Sequence, residues 1–175
     1  MIKKIILGVI SLLIIAGGGL FIINGKDNYD ASKYSASATN GINIGSKIAF
    51  TLPDQFDASH SLTDNTKKII FVFAKATGHT VKKFLNQQDK SYLASKNALF
   101  VADISPMPTV IRNTFALPDL KKSNYSVLLI YDKSIAKELK DEKRSDYITI
   151  ATMNNGTVEK VEYITTATEL ESKLK

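Results

Sequence analysis

The chain contains no cysteine. That absence excludes disulfides, thiolate metal sites, thiol nucleophiles and a lipid-bearing cysteine together. It does not locate the protein, because proteins on either side of a bacterial membrane can lack cysteine. Histidine is nearly as scarce, with two in 175 residues, and neither stands in a recognised metal-ligand spacing. A dense basic stripe with interleaved aromatics is missing too. The 23 Lys+Arg exceed the 17 Asp+Glu, but the surplus is spread along the chain and is mostly lysine. A solvated surface and no nucleic-acid partner follow. The glycine run "AGGGL" lies inside an apolar segment and is no phosphate loop, so no cofactor is expected.

Hydrophobic residues make up 44% of the chain, enough for one domain with its own core plus an appendage. The appendage opens the sequence. Lys3 and Lys4 precede a charge-free run from Ile5 to Ile23. A bilayer takes roughly 20 apolar residues to span, whereas a cleaved signal usually has an apolar region of roughly 7–15. The run therefore reads as a signal-anchor over 1–24, with the lysines holding its start in the cytoplasm and all that follows outside. The expectation is a single-pass protein of the bacterial inner membrane with its domain facing the periplasm. The alternative is secretion to the periplasm after cleavage near Ala36-Ser37-Ala38. Residues 25–44, rich in Ser, Asn, Ala and Gly, read as a flexible linker. In a weaker alternative, Ile42 to Ile48 begins the first strand.

From Gly45 to Lys175 the pattern alternates strand and helix. "SKIAFTLPDQFD" reads as a strand entering a turn at Pro53-Asp54. "KKIIFVFA", Lys67 to Ala74, is a near-continuous apolar run suited to a central strand covered on both faces. "TVKKFLNQQDKSYLASKN" places Val81, Phe84, Leu85 and Tyr92 near one helical face. "ALFVADIS" and "YSVLLIYD" read as further central strands, and "PTVIRNTFAL" and "KSIAKELKDEKR" as helices. The lysines and arginine of the last (Lys137, Lys140, Lys143 and Arg144) alternate with Glu138 and Glu142 as a wet face. Asn155-Gly156 signals a hairpin, and Thr166 or Thr168 a cap for the closing helix. The fold class expected is α/β, a mixed central sheet flanked by helices.

This order resembles the thioredoxin-like superfamily over nearly all of the chain after Gly45. "FTLPDQFDASHSLTD" is similar to the opening of peroxiredoxin-like domains, and "NNGTVEKVEYITTATELESKLK" to the hairpin and last helix of thioredoxins. The resemblance implies a strand–helix junction that carries Cys-x-x-Cys, where helix-start amides and the helix dipole stabilise a thiolate. Here that position holds Thr77-Gly78-His79-Thr80. A peroxiredoxin-like alignment instead sets Gly78-His79-Thr80 against a Gly-Cys-Thr-like phrase, with His79 replacing the nucleophile. A second departure is the lack of a proline before the strand of "SDYITI", where thioredoxins keep one in cis.

Threonine hydroxyls neither ionise near neutral pH nor form disulfides, so capping of the helix is the expected role of Thr77 or Thr80. The candidate binding residues are Thr77, Gly78, His79 and Thr80, with no catalytic residue assigned. The competing class is a cysteine-independent enzyme, or a metal- or anion-binding domain. It would use His79 at the helix start, or Asp54, Asp57 and His60 of "PDQFDASH" as ligands. The bland reading of that second cluster is a polar turn with local side-chain-to-backbone bonds. The functional expectation is a membrane-tethered extracytoplasmic binding or accessory module without thiol redox activity, with a protein partner in the envelope.

Overall fold

A computed structural model of the protein describes residues 25–27 and 29–175. The apolar run assigned to a signal-anchor lies outside the described residues, and no helix among those described is long and apolar enough to cross a membrane.

Two sheets are formed among the described residues. The first is antiparallel, ordered β1 (Ser35–Ala38), β2 (Ile48–Pro53) and β3 (Ser59–Ser61). The second holds β4 (Lys68–Val72), β5 (Ala98–Asp103), β6 (Leu128–Ile130), β7 (Ile148–Asn154) and β8 (Thr157–Ile164), in spatial order β6-β5-β4-β7-β8. β4, β5 and β6 run parallel, and β7 and β8 complete the sheet as an antiparallel hairpin. The hairpin turns at Asn155 and Gly156, with φ of 47° and 75°. Such left-handed values at both central residues are what an Asn-Gly turn between twisted strands supplies.

The strand "KKIIFVFA" behaves as its composition demands. Side chains alternate across a sheet, so a strand covered on both faces must be apolar throughout. Ile69 and Phe71 enter one core, packing with Phe50 and Leu52 of β2 and with Ile135 and Leu139. Ile70 and Val72 enter the other, with Val81, Phe84, Leu85, Leu170 and Leu174. Ile69, Ile70 and Phe71 are 0% exposed. Burying such a side chain is worth about 1.5–3 kcal/mol each.

Helices cover both faces. α1 (Lys75–Leu85) and α6 (Ala167–Leu174) lie on the Ile70 side, and α5 (Lys133–Leu139) lies on the Phe71 side against β1 and β6. The stretch expected to be one helix from Thr80 to Asn97 is two, α1 and the short α2 (Tyr92–Ser95). Asp89 separates them by accepting from Ser91 N–H and its hydroxyl, a local bond that competes with continued helix. "PTVIRNTFAL" coils as α3 (Thr109–Ile111), a π-helical segment (Arg112–Ala116) and α4 (Leu117–Leu120). Pro118 has no N–H to offer the carbonyl four residues back, which is reason enough for the ladder to widen there.

The segment expected to be a flexible linker is largely built into the domain. Ser35–Ala38 pairs with Ile48–Thr51, and Ile42 is 7% exposed in the core beneath the small sheet. Asp30 caps a 3-10 turn over Ala31–Lys33. Composition misled here because small polar residues suit an edge strand whose partner lies ten or more residues away.

Candidate functional site

The four candidate residues lie in the first turns of α1, directly after β4. The helix starts at Lys75, earlier than the capping expectation requires, and its N-cap is Ala74, which offers no side-chain acceptor. Thr77 is thus a third-position helical residue, not a cap. It is 5% exposed, and its hydroxyl donates to the Ala74 carbonyl at 2.9 Å. The Thr80 hydroxyl donates to the Ala76 carbonyl at 3.2 Å. Both hydroxyls are spent on the backbone of their own helix, a common fate of Thr inside a helix. His79 is exposed. Gly78 sits where an added Cβ would meet only Val72, at 3.9 Å, so its lack of a side chain is not required by space.

Along the helix, Lys82 pairs with Asp119 of α4. The hydrogen bond from Lys82 holds the Asp119 carboxyl below the usual range, with desolvation opposing and the charges of Lys82, Lys122 and His79 adding to it. This pair ties α1 to α4.

Asp54, Asp57 and His60 do not converge as a ligand set. Asp54 Oδ1 accepts from Phe56 N–H at 2.8 Å and Ala58 N–H at 3.0 Å, and Oδ2 faces His60 Nε2 at 3.0 Å. Asp57 stands at the turn with φ 64°. Its backbone carbonyl accepts from the Tyr34 hydroxyl at 3.4 Å. Among the described residues no group of three His, Cys, Asp or Glu is placed to hold a metal ion.

A different place gathers more chemistry. The carboxyl ends of β5 and β6 open onto a groove of about 530 Å³, lined among others by Asp27, Tyr29, Ser105, Thr109, Arg112 and Tyr131. Crevices beyond the carboxyl ends of parallel strands are where open α/β sheets hold ligands. Residues 77–80 do not line it. Arg112 is 4% exposed and its guanidinium carbon lies 4.8 Å from the Tyr131 ring centroid. Tyr29 stacks on Tyr131 at 4.8 Å and on Tyr34 at 5.5 Å. Burial pushes the Tyr131 phenol well above its usual value, the Asp57 charge adds to this, and Arg112 opposes it. At the end of β5, burial raises the Asp103 carboxyl above its usual range, against the bonds it receives from Ser105.

Sequence reasoning missed Arg112 and Tyr131. The available signal was a lone arginine inside the otherwise uncharged "TVIRNTFAL"; its meeting with Tyr131 spans 19 residues and a strand, so spacing could not show it.

No protein-family model and no curated protein sequence matches the chain. Solved structures do. Peroxidoxin BcpB from Mycobacterium tuberculosis is 14% identical, with a TM-score of 0.51 over 76% of this chain and 94% of that one. A chain described as the thiol:disulfide interchange protein DsbE from Chlorobium tepidum is 15% identical, with a TM-score of 0.51 over 77% and 96%. StoA from Bacillus subtilis is 18% identical over 73% and 96%, with a TM-score of 0.48. The fold is thioredoxin-like, a mixed sheet flanked by helices. At such identities the likeness is one of fold.

Proposed function

We propose that this chain is a membrane-tethered, extracytoplasmic thioredoxin-like domain without thiol redox activity, acting as a binding or accessory module for a protein partner in the envelope. One observation carries the reading. The sequence match to the thioredoxin-like pattern sets Thr77 and Thr80 where two cysteines would stand. In the structure both lie inside the first turns of α1, each donating its hydroxyl to a backbone carbonyl at its start. With no cysteine elsewhere in the chain, thiol–disulfide exchange has no nucleophile. Cysteine-independent catalysis at the same place meets the opposite difficulty, because a hydroxyl nucleophile needs a neighbouring base to receive its proton, and both protons are already directed to the backbone. Tethering rests on the charge-free run from Ile5 to Ile23 behind Lys3 and Lys4.

The redox part is tested with purified protein in insulin reduction with dithiothreitol and in peroxide turnover with a reductant. No rate above a heat-killed control is expected, and turnover in either assay would overturn it. Tethering predicts that the chain stays in the membrane pellet after alkaline carbonate extraction and is digested by protease added from the periplasmic side. Release into the supernatant, or full protection, would refute that part. Crosslinking on intact membranes followed by mass spectrometry should return a recurrent envelope protein; repeated recovery of the uncrosslinked chain alone would count against a partner.

A further inference from the structure

Arg112 opens the π-helical segment with its side chain 4% exposed, yet among the described residues two of its three guanidinium nitrogens have no hydrogen-bond partner. A guanidinium presents its N–H groups in a planar fork that fits two carboxylate oxygens. Among the described residues Nε has no hydrogen-bond partner, and Nη2 faces Asp27 Oδ2 at 2.8 Å without hydrogen-bond geometry. Buried donors of this kind are costly to leave unmade, so an unfilled fork calls for an explanation.

We propose that the groove beyond β5 and β6 is a carboxylate-binding site built on Arg112, and that Asp27 is a resident stand-in which a ligand carboxylate displaces. Asp27 is 48% exposed, so it can leave for water without giving up a buried niche. Tyr29 remains stacked on Tyr131 two residues further on, which keeps the segment docked while the carboxylate swings out. Charge selects the class of ligand. Lys133 and Asp132 line the same groove and offset each other. Once Asp27 is displaced, the remaining charged residues of the lining, Arg112, Lys133 and Asp132, sum to one positive charge. Asp57 and Asp30 act on Tyr131 and Tyr29 beside it. This balance suits a singly charged carboxylate better than a phosphate dianion. Ser105 and Thr109 supply hydroxyls, and Met107 an apolar wall. A carboxylate on an apolar stem fits this lining, whether carried by a free acyl amino acid or by the last residue of a peptide. π-helical turns recur at functional sites, and Arg112 is the first residue of this one. The site is separate from residues 77–80, so it stands independently of the missing thiols.

The test is calorimetric titration of the full-length chain with N-acetyl-leucine, its amide, inorganic phosphate, and a peptide ending in leucine with a free or amidated terminus. The acids should bind, and the amides should bind about tenfold more weakly or not at all. Asp27→Ala should tighten acid binding about three- to tenfold by removing the competitor. Arg112→Gln should abolish it in protein that still unfolds cooperatively; should that variant not fold, Asp27→Ala and the acid–amide pair decide alone. A peptide that binds tighter than N-acetyl-leucine marks chain termini as the source, and equal binding marks free carboxylates; both support the site. Equal binding of acid and amide, phosphate binding better than the acid, unchanged or weaker binding by Asp27→Ala, or no binding to either form would overturn it.

Discussion

Asp54 is 7% exposed at the turn after β2, and its two oxygens meet three groups: Phe56 N–H, Ala58 N–H and His60 Nε2. A carboxylate so engaged shapes the turn and has little capacity left for a metal. Asp54→Ala should cost about 2 kcal/mol, because two part-buried N–H groups and His60 lose a buried, charged acceptor. Urea denaturation followed by circular dichroism checks this, and an unchanged midpoint would show the turn to be held by other means. The turn itself was legible in Pro53-Asp54. The imidazole contact was not, because it depends on β3 pairing Leu52 with His60. Thr77 gives the same lesson. Its residue type suggested a cap, but the helix begins at Lys75, and once inside the helix its hydroxyl turns to the carbonyl of Ala74.

α6 shows what local sequence can do by itself. Thr166 accepts from the Glu169 N–H, and Glu169 accepts in return from the Thr166 N–H, closing a capping box. Thr166→Ala should cost about 1 kcal/mol. The bond from the Thr166 hydroxyl, followed by the N–H groups of Thr165 and Thr166, holds the Glu169 carboxyl below its ordinary value of 4.5. A lowered acid pKa adds stability above the unfolded value, and that share fades as pH falls through the folded one. Wild type and Glu169→Gln should therefore differ in Tm at neutral pH and converge at strongly acidic pH. A constant difference would remove the charge from the account. β1 marks the contrary case. Its pairing with β2 brings in Ile42, buried in what composition marked as a spacer. Ile42→Ala should cost about 2–4 kcal/mol by chemical denaturation. A solvated spacer would show almost none.

At the scale of the whole molecule, the two cores share one sheet. β4 is hydrogen-bonded to β5 on one side and β7 on the other, with both of its faces covered. The small sheet is joined to this body through Ile48 N–H to the Gly156 carbonyl at 2.9 Å, and through Leu52, 0% exposed, in the core that holds Phe71. Hydrogen exchange should therefore find the amides of β4 among the slowest, and those of β2 protected to a similar degree. Rapid exchange of β2 with β4 still protected would mean that the small sheet opens by itself. The buried Gln55 strengthens the join by donating to the Tyr125 carbonyl at 2.7 Å and accepting from Val127 N–H at 3.0 Å.

What the sequence determined alone was everything that depends on near neighbours or on chemical type: the lack of a thiol, the apolar strand of β4, the Asn155-Gly156 turn, the closing helix with its cap narrowed to Thr166 or Thr168, and the strand–helix order behind a thioredoxin-like fold. Only the tertiary structure decided the start of α1, the place of β1, and the meeting of Arg112 with Tyr131 and Asp27. Periodicity and capping act over a few residues, where the chain itself fixes the distance. Arg112 and Asp27 are 85 positions apart, and their contact exists only because the segment before β1 and the coil after β5 meet at the carboxyl ends of β5 and β6.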